Sequence, residues 1–262
     1  MKSKPSKRLL TELYELTHRG HPGDEAFYVN ACRGARHVLE LGCGTGRLLV
    51  PLAKVARRVT GLELEPSMLQ AAERKLEFQT ASVRRRVDLC RGDMARIALG
   101  KRFDRIVLPY NALYCLLSRR GVRDCFRGVR EHLADGGEFL FDVWLADAFH
   151  AAAAGNDYRD DEEAITRIEH RGRVWEVYER SRLRRARRRL DVHYLYVPST
   201  GGAIVDCLIQ QRYAPSAELR SDLAAAGLRV DAQWGEFDLR RFTRRATRWI
   251  VRAKAVASDE GR

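Results

Sequence analysis

The stretch Val38-Leu39-Glu40-Leu41-Gly42-Cys43-Gly44-Thr45-Gly46 narrows the folds open to this chain more than any other. An apolar run with a single acid gives way to three glycines at alternate positions, and an amphipathic segment, Arg47 to Ala56, follows. That order predicts strand, tight turn and helix. Glycines let the backbone turn sharply and let a bound group approach where a Cβ would collide. A parallel strand that feeds a helix through such a turn builds a crevice at the strand's carboxyl end. The spacing is G-x-G-x-G, neither the G-x-G-x-x-G of a dinucleotide fingerprint nor the G-x-x-x-x-G-K-[ST] of a phosphate loop, and no lysine follows Gly46. Taken alone, the turn also has a purely structural reading.

Arg58 to Leu64 predicts a second short strand ending in an acid, Glu63, which follows Gly46 by 17 residues. An acid in that place can accept hydrogen bonds from both hydroxyls of a ribose. The competing reading makes it a cap for a helix starting near Pro66. Glu65 suits that cap better, because proline favours a first helical turn and acids favour helix N-termini.

Together, Glu40-x-Gly42-x-Gly44-x-Gly46 and Gly61 to Leu69 resemble the class I S-adenosylmethionine-dependent methyltransferases. Arg91-Gly92-Asp93-Met94 is similar to that family's loop after the third strand. Phe103 to Asn111 resembles its fourth strand and the loop beside the methyl donor, and Asp135 to Val143 resembles the turn into its fifth strand. The motifs stand in family order over residues 38–143. The resemblance implies S-adenosyl-L-methionine as cofactor, held by Glu40, Gly42, Cys43, Gly44, Gly46, Glu63, Leu64, Met68, Asp93, Met94 and Pro109. Asp93 would meet the adenine amino group and the Met94 side chain would lie on the ring. Tyr110, Asn111 and Tyr28 would face the acceptor. Asp24 to Tyr28, Tyr213 to Leu219, Ala226 to Leu228 and Gly235 to Phe237 further resemble the glycine/sarcosine and amino-sugar N-methyltransferase-like branch.

Residues 37–143 alternate strand and helix five times, which predicts a parallel sheet with helices on both faces. The fold class is therefore α/β: a Rossmann-like, doubly wound seven-stranded sheet with a small antiparallel β cover inserted after strand five. Four pieces are expected. Residues 1–36 form an N-terminal helical lid, with Leu9, Leu10, Leu13, Tyr14 and Leu16 on one face. Residues 37–150 form the cofactor-binding core, and 151–213 the antiparallel insertion, with Ala151 to Asp161 as a linker or mobile loop. Residues 214–262 supply a last helix and the final two strands of the core sheet.

At 262 residues the chain can bury a large core without disulfide or metal staples. Six cysteines without a C-x-x-C pair predict reduced thiols and a cytoplasmic location. Cys43 reads as a small filler rather than a nucleophile. No apolar run approaches a membrane span, and no apolar signal core follows the basic Met1-Lys2-Ser3-Lys4-Pro5. The net charge of +13 raises nucleic-acid binding, yet lysine supplies only seven of the 48 basic residues. The densest run, Arg182 to Arg189, sits between alternating segments and predicts a solvated hairpin end.

A methyl sulfonium carries its own activation, so holding donor and acceptor in line, worth about 7–11 kcal/mol, can suffice. An amine must still arrive neutral or lose a proton nearby. Aromatic walls suit a cationic acceptor, which brings in Tyr14, Tyr28, Tyr110 and Trp144. His18 and His21 are candidate bases, and the histidine spacing suggests no metal site. Leu108-Pro109-Tyr110-Asn111 stands where enzymes acting on planar nucleobase nitrogens carry Asn/Asp-Pro-Pro-Tyr/Phe. The expected acceptor is thus a small molecule, most simply an amine, for a monomer or homodimer. An RNA or protein methyltransferase using the arginine-rich surface is the alternative.

Overall fold

A computed structural model describes residues 6–152, 158–159, 162–243 and 245–256. In chain order its elements are α1 (Lys7–Thr17), α2 (Asp24–Cys32), β1 (His37–Leu41), α3 (Leu49–Val55), β2 (Arg58–Glu63), α4 (Pro66–Glu77), α5 (Ala81–Arg84), β3 (Val87–Arg91), β4 (Phe103–Leu108), α6 (Arg119–His132) and β5 (Leu133–Trp144). There follow α7 (Ala146–Ala152), β6 (Tyr158–Arg159), β7 (Glu163–His170), β8 (Arg173–Arg184), β9 (Arg189–Pro198), β10 (Val205–Arg212), α8 (Ser216–Ala225), β11 (Leu228–Trp234) and β12 (Arg248–Ala255). They fall into two compact units, Met1–Arg19 with Ala148–Tyr213, and Gly20–Asp147 with Ala214–Arg262.

The larger unit holds the expected seven-stranded sheet, in the order β11-β12-β5-β4-β1-β2-β3. β3, β2, β1, β4 and β5 run parallel, and β12 is antiparallel to β5 and to β11. From β1 the chain builds outward through β2 and β3, then returns to lay β4 on the other side of β1. That reversal is the switch point of a doubly wound sheet, where ligands enter beyond the strands' carboxyl ends. Val38, Leu39, Glu40 and Leu41 are all buried, as a central parallel strand covered on both faces requires. α6 buries Val122, Cys125, Phe126 and Val129, the i, i+3, i+4, i+7 stripe of an amphipathic helix. Its start is fixed by Ser118, whose hydroxyl accepts the Gly121 N–H at 3.0 Å.

The smaller unit is an antiparallel sheet in which β10, β9 and β8 lie side by side. The 12-residue β8 pairs with β7 along its first half and with β6 near its end. Trp175, Val177, Tyr196, Val205 and Cys207 form its apolar face together with Leu13 of α1. The segment 1–36, expected as one piece, thus supplies α1 to this unit and α2 to the larger one, where Phe27, Tyr28 and Cys32 enter the core. The physical reason is that a sheet with one apolar face needs a helix to cover it. The β8–β9 turn lies at Arg184 to Arg189, with Arg188 left-handed at φ 50°, so the run expected as a solvated hairpin end is shorter than Arg182 to Arg189: Arg182 and the fully buried Leu183 still belong to β8, where Leu183 faces the core. Of the expected linker, residues 153–157, 160 and 161 lie outside the described residues, as do residues 1–5 of the basic N-terminus.

Candidate functional site

Beyond β1 the chain enters its glycine turn, with Gly42, Gly44 and Gly46 at φ 63°, 55° and 76°. Cys43 N–H donates to the Leu62 carbonyl at 3.1 Å, which ties the turn to the end of β2. A Cβ on Gly61 would lie 2.8 Å from Cys43 Sγ, so β2 needs a glycine there for the turn to seat. At Gly44, by contrast, nothing stands within 4 Å of where a Cβ would project. That face of the turn is open. Cys43 itself is buried, and burial pushes its thiol well above the ordinary range, consistent with a filler.

Glu63 braces this turn. Its Oε2 accepts the Gly44 N–H at 2.9 Å, and Oε1 accepts the Leu64 and Glu65 N–H groups, each at 2.8 Å. A carboxylate offers about four lone-pair sites, and backbone donors take three of them here. The arrangement therefore leaves acceptor capacity for one further hydroxyl, where the sequence suggested two. Glu65 precedes α4 as its cap residue, yet its side chain accepts from the Ser67 hydroxyl at 3.2 Å and makes no cap hydrogen bond.

The loop after β3 comes to the same place. Gly92 N–H donates to the Glu63 carbonyl at 2.9 Å, which sets Asp93 and Met94 beside the turn. Met94 Sδ lies 4.0 Å from the point a Gly42 Cβ would occupy. Asp93 Oδ1 accepts the Ala95 N–H at 2.8 Å, and its second oxygen has no partner among the described residues. Leu64 is 58% exposed, Met68 is half-buried in the first turn of α4, and Pro109 is buried.

Glu40 is 2% exposed, and its Oε2 has no hydrogen-bond partner among the described residues. Burial pushes its carboxyl up to about 8, against the lowering field of Arg47. Arg47, just past the turn, forks onto the buried Asp24 at 3.0 and 2.7 Å.

At the end of β4, Tyr110 and Asn111 are both left-handed at φ 59°. Such strain costs about 1–3 kcal/mol per residue and persists only where surroundings hold it. Here Asp142 and Trp144 of β5 hold it. Asp142 Oδ1 accepts the Tyr110 N–H at 2.8 Å and the Tyr28 hydroxyl at 2.6 Å, while Asn111 Oδ1 accepts the Trp144 N–H at 2.6 Å. Tyr28, expected to face the acceptor, is instead fully buried. Burial and the neighbouring carboxylate push its phenol far above the usual range. It supports the Tyr110 turn through Asp142. The Tyr110 ring is half-buried, with the His21 ring at 4.7 Å and the Arg47 guanidinium at 5.7 Å. Burial, aided by Arg248, drops the His21 imidazole to about 4, so it is neutral at pH 7. Its Nε2 is buried without a partner among the described residues. Trp144 packs on Tyr114 at 5.3 Å. Tyr14 and His18 belong to the smaller unit, where their rings stack at 4.0 Å.

Sequence reasoning gave no role to Asp142 or to the Asp24–Arg47 pair. The signal for Asp142 was present: an acid inside Phe139-Leu140-Phe141-Asp142-Val143 must be buried with partners.

Residues 38–137 match the family described as "Methyltransferase domain". The methyltransferase CcbJ from Streptomyces caelestis has a structure that superposes with a TM-score of 0.77 at 29% identity, over 91% of each chain. This core is a class I methyltransferase domain, of the family that uses S-adenosylmethionine. A Geobacillus protein named as a methyltransferase is 35% identical over 111 residues, 42% of this chain and 43% of its own length, so the match spans less than half of that relative. The dTDP-3-amino-3,4,6-trideoxy-alpha-D-glucopyranose N,N-dimethyltransferase of Streptomyces venezuelae is 26% identical over 203 residues, 75% of this chain and 77% of its own. The residues in the turn fit such a cofactor, which carries a sulfonium, an ammonium and two ribose hydroxyls. Gly44 leaves room for close approach, Glu40 Oε2 and Asp93 Oδ2 are acceptors without partners among the described residues, and Glu63 retains capacity for one hydroxyl.

Proposed function

We propose that this chain methylates an amine nitrogen of a small molecule by in-line displacement. The observation that carries this reading is the extent of the likeness. The match to the amino-sugar N,N-dimethyltransferase runs through 75% of the chain, well past the cofactor-binding core. The cofactor would supply an activated methyl group. The remaining work falls to the chain's own residues. Gly44 offers backbone open to close approach, with Gly42 and Gly46 shaping the turn on either side, Glu63 accepts from a ribose hydroxyl, and Asp93 and Met94 meet the adenine. Glu40 takes the cationic end in its buried setting. Tyr110 and Asn111 line the acceptor's approach, with Tyr28 and Asp142 fixing their backbone. A neutral amine needs only alignment and exclusion of water. The aromatic Tyr110 favours a cation arriving nearby, whereas the His21 imidazole, dropped to about 4, is too weak a base to take a proton from an ammonium, so the amine must arrive neutral or lose its proton to water.

The experiment is a transfer assay with methyl-labelled S-adenosylmethionine and the purified full chain. The acceptor panel would hold nucleotide-linked amino sugars, their deaminated hydroxyl counterparts, peptides with free N-termini, and short RNA. Label on an amino sugar with none on its hydroxyl counterpart is the expected result. Label confined to RNA, or to hydroxyls, would reject the amine reading.

A further inference from the structure

The opposite end of the large sheet from the glycine turn carries a second concavity. β4, β1 and β2 begin side by side there, with His37 in register with Arg58. Their first residues and the turns before them bring Arg36, His37, Arg57, Arg58, Arg102 and Asp104 around a cavity of about 630 Å³. The five residues of β1 put about 16 Å of strand between this rim and Gly42. Ligands of open α/β sheets enter at carboxyl ends, so the crevice at the glycine turn does not account for this basic cluster.

The charges around the cavity do not balance. Among the described residues, Asp104 is the one carboxylate that lines it. Its Oδ2 accepts the His37 N–H at 2.8 Å, and its Oδ1 faces Arg36 at 3.5 Å. Against the upward push of partial burial, these contacts hold its carboxyl below the ordinary value. Arg58 is taken by Asp88, to which its Nη2 donates at 3.1 Å to each oxygen. Arg102 donates to the Leu133 carbonyl at 3.3 Å, and its nearest carboxylate, Asp135, is 3.9 Å away and fully exposed, where an ion pair contributes little. Arg57 is exposed, and among the described residues its guanidinium has no hydrogen-bond or ion-pair partner. Two guanidiniums, Arg57 and Arg102, therefore stand at the cavity without a compensating buried charge. Guanidinium forks match the tetrahedral oxygens of phosphate, and a phosphomonoester carries about −1.5 to −2 at pH 7. Asp88, Asp104 and Asp135 interleave with the arginines and break the continuous basic track that a polynucleotide needs.

We propose that this cavity is a binding site for a phosphate group, either as the free ion or as the monoester of a small molecule. The site stands on its own charges and geometry and holds whether or not the acceptor is an amine. The test titrates inorganic phosphate and glycerol 1-phosphate into the full chain by calorimetry, at ionic strength held constant with chloride. The same titrations run on R57A/R102A and on R57K/R102K, with S-adenosylhomocysteine binding measured in each as a check of the fold. Both probes should bind the unmodified chain, weaken by about tenfold or more in the alanine pair, and show intermediate affinity in the lysine pair, which keeps charge without forks. A monoester that outcompetes the free ion identifies a phosphorylated small molecule as the occupant, and equal affinities identify the ion. Binding no stronger than the chloride control, or phosphate affinity unchanged in both arginine variants, would overturn the proposal. So would a short single-stranded RNA that binds while neither phosphate probe does, which would assign the arginines to a polynucleotide.

Discussion

Glu63 does two jobs that pull against each other. Each backbone N–H it accepts stiffens the turn and uses a lone pair that a ribose hydroxyl could have taken. Glu63→Ala should therefore weaken S-adenosylhomocysteine binding by about 1–3 kcal/mol and lower stability as well, because three amides lose a charged acceptor. Calorimetry and denaturant unfolding read the two effects separately. Unchanged affinity with lowered stability would reduce Glu63 to a brace. Gly44→Ala separates the same two effects from the other side. The φ of 55° costs an alanine about 1–2 kcal/mol in the folded state, although the space beside it is open. If that space is where the cofactor lies, the affinity loss should exceed what a Glu63 brace alone explains. An affinity equal to that of the unmodified chain would show that the open face of the turn is not used.

The end of β4 shows how one element disciplines another. Tyr110 and Asn111 keep left-handed backbones only because β5 supplies acceptor and donor at Asp142 and Trp144, and α2 supplies the Tyr28 hydroxyl. Asp142 is wholly buried; burial raises its carboxyl, and the Tyr28 and Tyr110 hydrogen bonds oppose the rise. Tyr28→Phe should then cost about 1–3 kcal/mol of stability, because the buried Asp142 Oδ1 loses one of its two donors. A loss below about 0.5 kcal/mol in urea titration would mean that the carboxyl finds another donor. These couplings mark where sequence reading stops. β1, β2, β4 and β5 were legible because each carries an apolar stretch closed by glycine, acid or turn residues, and that punctuation is local; β3, Val87-Asp88-Leu89-Cys90-Arg91, is half-buried and rests on the Gly92-Asp93 loop after it. α3 begins at Leu49, two residues later than Arg47, because residues 43–47 spend their backbone on the turn. α1 shows an apolar face, but a helix's own period does not say which sheet it covers, and Leu13 joins the antiparallel one. The orientation of Tyr28 was hidden for the same reason: its partner lies 114 residues away, and an aromatic has one appearance in sequence whether it lines a cleft or braces one.

For the whole molecule, buried titratable groups make stability depend on pH in two opposed ways. His18 in the smaller unit and His21 in the larger are both lowered by burial from 6.5 to about 4. A depressed imidazole contributes stability that is complete above about 6.5 and lost as pH falls through about 4, since the unfolded chain takes up the proton first. Glu40 has the opposite sign. Its carboxyl is raised from 4.5 to about 8, so its contribution is complete below about 4.5 and lost as pH rises through about 8. Above about pH 7.5 the two histidines are neutral in both states, and between about 6.5 and 8 Glu40 makes stability fall. Unfolding curves across this range should show that fall, and Glu40→Gln should flatten it. His18→Gln with His21→Gln should remove the rise that the two imidazoles impose between pH 4 and 6.5 and leave the Glu40 fall above about 4.5. A variant curve parallel to that of the unmodified chain would show that the side chain in question is not sequestered when folded. Cofactor binding ties into the same group. At pH 7 Glu40 still holds its proton, and an ammonium or sulfonium brought against Oε2 would favour the carboxylate instead. S-adenosylhomocysteine, which keeps the ammonium, should therefore release up to about one proton on binding at pH 7, measured by calorimetry in two buffers of different ionisation heat. Glu40→Gln should abolish the buffer dependence; the same release in that variant would place the cation elsewhere.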